Sequence, residues 1–302
     1  MGDWAGVLAF PVTTFDSTGD HLDLGLFREN VEYQLRAGVH HMVPLGSTGE
    51  FAYLTSRERH EVVAATVEQV GGRVPVIAGV SAISTAGAVE HAREAQELGA
   101  DAALVIMQTY FSLSADEVMR HLDAIGRAVA LPIFVYNNPG TSKVDFTPAL
   151  AKRLTEVATI AGLKESSADI NRVSLLHEAL GDGPPRVLAG WDTIALPSFA
   201  LGVEGWCSGL PNVAPHECVE LYQAAVERRD FDAALSVHRR IFPLAEYLLT
   251  HSLPAAAKAG MEITGRKAGP PRAPLSAPRD EELSVLQHII ERAEIEALTS
   301  TA

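Results

Sequence analysis

The chain is poor in cysteine and in basic residues, and each shortage argues against a class of protein. Its 302 residues include only two cysteines, Cys207 and Cys218, which are too few for a disulfide framework and fit a reducing cytoplasm. Lysine and arginine together number 24 against 38 acidic residues, which gives a formal net charge of −14. This charge argues against a nucleic-acid partner and against binding to an anionic membrane surface.

Long apolar runs are also missing. No stretch approaches the roughly 18 uninterrupted apolar residues of a membrane span, and residues 1–10 lack the basic region of a signal peptide. The chain is nevertheless 47% hydrophobic and 21% charged, the balance of a globular protein with a sizeable core. We therefore expect a cytoplasmic protein with no membrane partner.

Eight short apolar segments alternate with helical patterns along the first two thirds of the chain. The strands are predicted at 6–12, 41–45, 74–80, 102–107, 132–136, 160–164, 186–189 and 203–207. Regular alternation indicates a parallel sheet covered on both faces, and eight such units over about 210 residues match a (β/α)8 TIM barrel. A doubly wound sheet fits less well, because Pro11-Val12-Thr13-Thr14 follows the first strand where a glycine-rich turn is expected.

The pattern becomes entirely helical beyond Asn212. Helices are predicted at 215–228, 231–249, 254–264 and 280–298, with a proline-rich connector at 269–278. We interpret residues 1–212 as the barrel that carries the active site. Residues 213–302 are then a helical extension of the same domain.

Lys164 ends the sixth predicted strand, with apolar residues before it and a polar turn after it. A lysine at a strand end could simply extend its ammonium group into water. A desolvated ammonium gives up its proton more readily, and the free amine can form a Schiff base with a carbonyl substrate. Because catalytic groups of a (β/α)8 barrel lie at the carboxyl ends of its strands, we favour the second interpretation.

Two other strand ends carry polar groups that would face the same cavity. The second strand ends in Gly46-Ser47-Thr48-Gly49-Glu50, whose backbone N–H groups and hydroxyls could hold an anion such as a carboxylate. The fifth strand ends in Tyr136-Asn137-Asn138-Pro139. Cys207, on the eighth strand, has no evident basic partner, and we expect it to form a pocket wall. No histidine spacing matches a zinc site, so neither a metal nor an organic cofactor is expected.

Together these segments resemble the family of dihydrodipicolinate synthase and N-acetylneuraminate lyase. The family motifs G-[ST]-T-G-E, Y-N-x-P and G-[LIV]-K-[ED] correspond here to Gly46–Glu50, Tyr136–Pro139 and Gly162–Glu165. The resemblance implies that Lys164 is the Schiff-base lysine and Tyr136 the proton-transferring phenol. It also implies that Ser47, with Gly46 and Thr48, holds the 2-oxo acid carboxylate and that Ser47 belongs to a proton relay. It further implies a homotetramer built as a dimer of dimers.

Two positions depart from the synthases of that family. Where they have a tandem tyrosine after the fourth strand, this chain has Tyr110-Phe111, so one relay hydroxyl is missing. Where they have an arginine just after Y-N-x-P, which grips the carboxylate of the second substrate, this chain has Gly140-Thr141-Ser142-Lys143. Both departures count against lysine biosynthesis and leave the pyruvate half of the site intact.

The sequence therefore predicts a lyase that acts on pyruvate, or on a 2-oxo acid derived from it, through a lysine Schiff base. The second substrate, if there is one, would be an aldehyde. Three alternatives stay open. The chain could be a 4-hydroxy-tetrahydrodipicolinate synthase, or a dehydratase of a 2-keto-3-deoxy sugar acid that uses the same lysine. It could also be a non-catalytic 2-oxo-acid sensor, although retention of both Lys164 and Tyr136 argues against a sensor.

Overall fold

The apolar segments form eight parallel strands in a computed structural model that describes residues 4–295. The strands are β1 (Gly6–Ala9), β2 (His41–Met42), β3 (Ile77–Gly79), β4 (Ala102–Ile106), β5 (Ile133–Asn137), β6 (Ile160–Glu165), β7 (Arg186–Ala189) and β8 (Gly205–Ser208). Almost every strand residue is buried, because the strands have side chains inside the barrel and helices outside it. The predicted TIM barrel is confirmed.

The strands close on themselves. Their order is β2-β1-β8-β7-β6-β5-β4-β3, and a parallel bridge between Met42 and Val76 joins β2 to the start of the β3 segment. In this bridge the Met42 amide donates to the Pro75 carbonyl over 3.0 Å. Closure brings all eight carboxyl ends to one rim, where the polar strand ends meet.

Helices follow the strands around the barrel. They are α1 (Leu24–Arg36), α2 (Ser56–Val70), α3 (Thr85–Glu97), α4 (Ala115–Ala128), α5 (Pro139–Ser142), α6 (Pro148–Arg153), α7 (Ile170–Leu180) and α8 (Ala195–Ala200). The Thr55–Glu58 pair forms the capping box that its spacing predicts at the start of α2. The short α5 was not predicted. It forms because Asn138 caps it, Pro139 suits its first turn, and Lys143 ends it in the left-handed region.

Four further helices complete the described chain: α9 (Pro215–Tyr222), α10 (Phe231–Thr250), α11 (Leu253–Ile263) and α12 (Asp280–Arg292). The helix predicted at 215–228 forms, but it is α-helical only to Tyr222 and continues as a π-helical turn at residues 223–227. The last helix ends at Arg292, earlier than predicted, and residues 296–298 lie outside the described part. Within residues 4–295, no helix has both the length and the apolarity that crossing a membrane requires.

Asn212 ties the ends of β1 and β8 together behind the rim. Its amide group donates to the carbonyls of Phe10 and Gly209, each over 2.7 Å. Its oxygen accepts from the Val12 amide and from Gln34. Because Asn212 is fully buried and each of these groups is paired, the network fixes the position of Phe10, whose ring borders the site.

Candidate active site

Lys164 extends from β6 into the mouth of the barrel and is buried. In the strand register it lies beside Tyr136 on β5 and Leu188 on β7. Its Nζ atom is 3.8 Å from the centre of the Tyr136 ring and 4.0 Å from the centre of the Phe10 ring. Ring faces attract an ammonium group without supplying a counter-charge, so these contacts keep the amine inside the cavity.

The hydroxyl of Tyr136 lies at the centre of a small polar cluster. It accepts a hydrogen bond from Asn138 Nδ2 over 3.1 Å, and the side chains of Ser47 and Lys164 lie near it. Burial alone would raise the pKa of Tyr136, but the Lys164 charge and the polar contacts with Asn138, Ser47 and Lys164 outweigh burial, so the pKa lies below its usual value. A phenol with a lowered pKa exchanges protons more easily near neutral pH.

The turn after β2 approaches this cluster closely. A Cβ atom on Gly46 would lie 2.2 Å from the Phe10 ring, so only glycine allows the turn to pack against that ring. The turn is closed by hydrogen bonds from the Gly49 amide to the Gly46 carbonyl and from the Glu50 amide to the Ser47 carbonyl. Thr13 donates to the Gly49 carbonyl over 2.7 Å. These contacts fix Ser47 and Thr48 at the rim.

A cavity of about 350 Å³ opens in front of Lys164. Five of the predicted site residues line it: Ser47, Thr48, Tyr136, Lys164 and Cys207. The sixth, Gly46, lies behind the turn against Phe10 and is not among the lining residues. The structure therefore brings the three predicted strand ends to one cavity.

Cys207 is among the residues that line this cavity. Burial raises the pKa of its thiol to about 12, although the nearby Lys164 charge acts in the opposite direction. The thiol is therefore protonated near neutral pH, and a protonated thiol is a poor nucleophile.

The strand residues behind Lys164 form a second hydrogen-bonded layer. Glu165 is buried, accepts from Asn137 Nδ2 over 2.7 Å and also accepts from the Ser167 amide. Asn137 in turn accepts from the Phe146 amide. This layer joins the ends of β5 and β6, so Tyr136 and Lys164 are held side by side.

Several cavity residues were not predicted from the sequence. They are Ser166, Ser167, Gly190, Trp191, Asp192, Gly209, Leu249 and Leu253. Asn138 and Pro139, which also line the cavity, belong to the fifth strand end that was predicted to face it, and Gly140 and Thr141 follow them. Gly190-Trp191-Asp192 follows β7, so the same strand-end rule could have found them. Leu249 and Leu253 come from α10 and α11, and no local pattern indicates that those helices reach the rim.

Asp192 is the one acidic residue among the cavity-lining residues that the structure describes. Its Oδ1 atom accepts a hydrogen bond from the Trp206 indole over 3.0 Å, and the Ser208 side chain lies nearby. Burial raises the pKa of Asp192 to about 6, and the contacts with Ser208 and Trp206 and the Lys164 charge offset burial only in part. Asp192 therefore changes charge within the physiological pH range.

The two positions that depart from the synthases differ in their surroundings. Thr141 lies in α5 at the cavity edge, whereas Lys143 is exposed and is not among the lining residues. Tyr110 and Phe111 are each 77% exposed, with their rings packed edge to face at 5.0 Å. No described group of three or more His, Cys, Asp or Glu side chains could hold a metal ion.

Comparisons with known proteins agree on one family. The sequence model of the dihydrodipicolinate synthetase family matches residues 3–293. The chain is 35% identical over 288 residues to a 4-hydroxy-tetrahydrodipicolinate synthase of Methanospirillum hungatei, which covers 95% of this chain and 98% of that protein.

Solved structures are similar along nearly the whole chain. One is the chloride-inhibited dihydrodipicolinate synthase of Acinetobacter baumannii complexed with pyruvate, with a TM-score of 0.93, 30% identity and coverage of 97% of this chain and 100% of that chain. Another is a monomeric dihydrodipicolinate synthase variant, with a TM-score of 0.90, 29% identity and coverage of 97% of each chain.

The raised pKa of Asp192 predicts a pH-dependent effect of Asp192→Asn on stability. Because the folded-state pKa is higher than the unfolded one, the parent loses stability as the pH rises from about 4 to 6. The variant does not lose stability in this way, so its free energy of unfolding relative to the parent should rise by about 2 kcal/mol between pH 4 and pH 7.5. Urea titrations at both pH values measure this difference.

Asp182→Asn is the matched control, because Asp182 is exposed in the loop before β7 and remains in water in the folded state. Its effect on the free energy of unfolding should be nearly the same at both pH values. A relative stability of Asp192→Asn that does not change with pH would contradict the assigned environment of Asp192.

Proposed function

Since the chain belongs to the dihydrodipicolinate synthetase family and is a class I lyase, we propose that Lys164 forms a Schiff base with pyruvate or a pyruvate-derived 2-oxo acid. The single observation that carries the proposal is the position of the Lys164 amine. It is buried, lies within 4.0 Å of the centres of the Tyr136 and Phe10 rings, and shares its cavity with the hydroxyls of Ser47 and Thr48. The carbonyl carbon of a 2-oxo acid would lie between these groups.

The reaction begins when the Lys164 amine attacks the keto carbon and a carbinolamine forms. Loss of water then gives a protonated imine, which withdraws electrons from the adjacent carbon atoms. Removal of a proton from the methyl group gives an enamine, whose carbon attacks an aldehyde carbonyl. The reverse sequence cleaves the same carbon–carbon bond, and elimination of a β-hydroxyl group would proceed through the same imine.

Tyr136 is the proposed general acid and base for these steps. Its lowered pKa and its position beside Lys164 and Ser47 would allow it to accept a proton from the attacking amine and to return a proton to the leaving hydroxyl. Ser47 would pass protons between Tyr136 and the substrate. Thr48 and the backbone N–H groups of the turn would hold the carboxylate and thereby align the keto carbon with the amine.

The second substrate is proposed to be an aldehyde without a carboxylate. Lys164 is the one cationic residue among the described residues that line the cavity, and Asp192 is the one anionic residue. A second carboxylate would therefore meet the Thr141 hydroxyl and the buried Asp192 acid, with no arginine fork to bind it. A sugar-acid dehydratase fits the same charges.

A 4-hydroxy-tetrahydrodipicolinate synthase is the second candidate, because curated relatives such as the protein of Methanospirillum hungatei carry that name. Turnover of any 2-oxo acid would reject a non-catalytic sensor. A biosynthetic role of this kind, like the low cysteine content, supports a cytoplasmic location. Residues 213–302 are proposed to extend the barrel domain, because Leu249 and Leu253 line its cavity.

A homotetramer is proposed as the assembly. Its support is an apolar patch at the loops after β3 and β4, which consists of Ile83, Tyr110 and Phe111 and is 75–77% exposed. Ile83 and Tyr110 line a second cavity, of about 440 Å³, beside the active site. Large exposed apolar patches are typical of protein–protein interfaces.

Covalent trapping tests the proposed function. Pyruvate followed by borohydride should leave a stable adduct whose mass equals that of reduced pyruvyl-lysine, and peptide mapping should locate it on Lys164. Lys164→Ala should show no such adduct, and Lys143→Ala, which removes an exposed lysine outside the cavity, should label as the parent does. Equal labelling of Lys164→Ala and the parent would reject the mechanism.

A coupled assay with a panel of aldehydes tests the second substrate. Aspartate semialdehyde should have a kcat/KM at least about tenfold below that of the best uncharged aldehyde, because a charged hydrogen bond is worth about 1.5–3 kcal/mol. Thr141→Arg should raise kcat/KM for aspartate semialdehyde by about tenfold, and Thr141→Gln, long but neutral, should not. A parent kcat/KM of about 10⁴ M⁻¹s⁻¹ or more with this substrate would favour the synthase.

Sedimentation velocity tests the assembly. The parent should sediment at four times the 32.3 kDa chain mass, and Phe111→Asp should shift it to smaller species, because a carboxylate cannot be buried without a partner. Val285→Asp changes an exposed apolar residue of α12 and serves as the control. A parent that sediments as a single chain, as the described monomeric variant suggests is possible in this family, would reject the tetramer.

A further inference from the structure

Glu50 follows the carboxylate-binding turn directly and is held in an unusual way. Its φ angle is 56°, in the left-handed region that side chains other than glycine seldom adopt. Its side chain has no exposed surface, although a buried carboxylate is costly unless it is paired. A strained backbone and a buried charge at one residue persist only where the surroundings compensate for both.

The compensation comes from α11 and from the connector that follows it, residues 269–278. Lys258 Nζ, on α11, lies 2.6 Å from Glu50 Oε1 and is itself 98% buried. The backbone amide of Arg272 donates to Glu50 Oε2 over 2.7 Å. Lys258 also donates to the Pro270 carbonyl over 3.0 Å, and its ammonium lies 4.3 Å from the centre of the Phe15 ring. Each charge therefore has a fixed partner.

Arg272 attaches the same connector to the other side of the turn. Its guanidinium donates to Glu58 over 2.7 Å and to the carbonyls of Gly19 and Asp20. The connector from Gly269 to Leu275 thus crosses the N-terminal loop and the start of α2. This segment therefore contacts the turn from the side away from Lys164, and none of its residues lines the cavity in front of that amine.

We propose that Lys258 is a positioning residue for substrate binding, because its ion pair with Glu50 holds Ser47 and Thr48 where they receive the substrate carboxylate. The link is short: the Glu50 amide donates to the Ser47 carbonyl over 3.1 Å, so displacement of Glu50 displaces the turn. This inference rests on the proposed binding of a 2-oxo acid at Lys164 and assigns a function to a residue remote from that amine.

The proposal requires a loss of affinity that is selective for substrates with a carboxylate group. Without the Lys258 charge, the Glu50 carboxylate would turn toward water and take the Ser47–Gly49 segment with it. The carboxylate of pyruvate would lose one or more hydrogen bonds, whereas the keto carbon would still meet Lys164. Affinity should therefore fall for pyruvate and not for a ketone that has no carboxylate.

Borohydride trapping at graded substrate concentrations measures this selectivity without a second substrate. In Lys258→Met, the half-saturating concentration of pyruvate should rise by at least about tenfold, the effect of one charged hydrogen bond. The maximal labelling should stay within about threefold of the parent, which is roughly 0.6 kcal/mol. The half-saturating concentration of methyl pyruvate, an ester without the carboxylate charge, should change little, so the pyruvate-to-ester preference should fall.

Lys267→Met is the matched control, because it removes the same charge from an exposed residue of the same region. It should behave as the parent does. In the double variant Glu50→Gln/Lys258→Met, both charges are absent, and the side-chain oxygen of the introduced glutamine can still accept from the Arg272 amide. Part of the pyruvate affinity should return, which a general loss of folding would not allow.

The outcomes separate the two proposals. A parent that does not label with pyruvate rejects the proposed function. A parent that labels, together with a Lys258→Met variant of unchanged pyruvate preference, rejects only the positioning role. If Lys258→Met fails to fold by circular dichroism, Lys258→Gln supplies the test, because it removes the charge while its amide can still donate to the Pro270 carbonyl; an unchanged pyruvate preference there rejects the positioning role equally.

Discussion

The burial of the Lys164 side chain at the rim of a closed barrel is the constraint on which the site depends. Because side chains alternate along β6, Lys164 points into the barrel mouth and Glu165 points to the opposite side. There the Glu165 carboxylate accepts hydrogen bonds from Asn137 and from the Ser167 amide. The strand thereby separates a lysine from the acid next to it in sequence. Ring faces and a phenol surround the amine instead, and these groups leave room for a carbonyl carbon.

The side chains that meet at the cavity stand at the ends of short strands, and hydrogen-bonded layers behind them fix their positions. Asn212 fixes Phe10 by pairing four polar groups. The hydrogen bond from Asn137 to Glu165 holds β5 and β6 in register. Lys258 and the Arg272 amide bind the Glu50 carboxylate at the end of the β2 turn, from outside the barrel. Each layer contains polar groups whose partners are specified by geometry, so it resists small displacements in a way that apolar packing does not.

The sequence predicted the fold and most of the site because both have local signals. Apolar runs that alternate with capped helices define a barrel, and the barrel rule then places Lys164, Tyr136 and Ser47 at one rim. Asp192 could have been found by the same rule. Leu249, Leu253 and Lys258 could not, because their contacts depend on how α10 and α11 fold back over the rim. The π-helical turn at 223–227 likewise interrupts a helix that periodicity alone continues.

The contacts of Glu50 with Lys258 and Arg272 also have a consequence for the order in which the protein folds. The Arg272 amide that binds Glu50 is 222 residues away along the chain, so this contact cannot form while the barrel strands are still being synthesised. Contacts of such long range form late, after local helices and neighbouring strands. In a nascent chain, Lys164 would therefore be in place before the Gly46–Glu50 turn is secured. Competence to bind substrate would be acquired as one of the last events of folding.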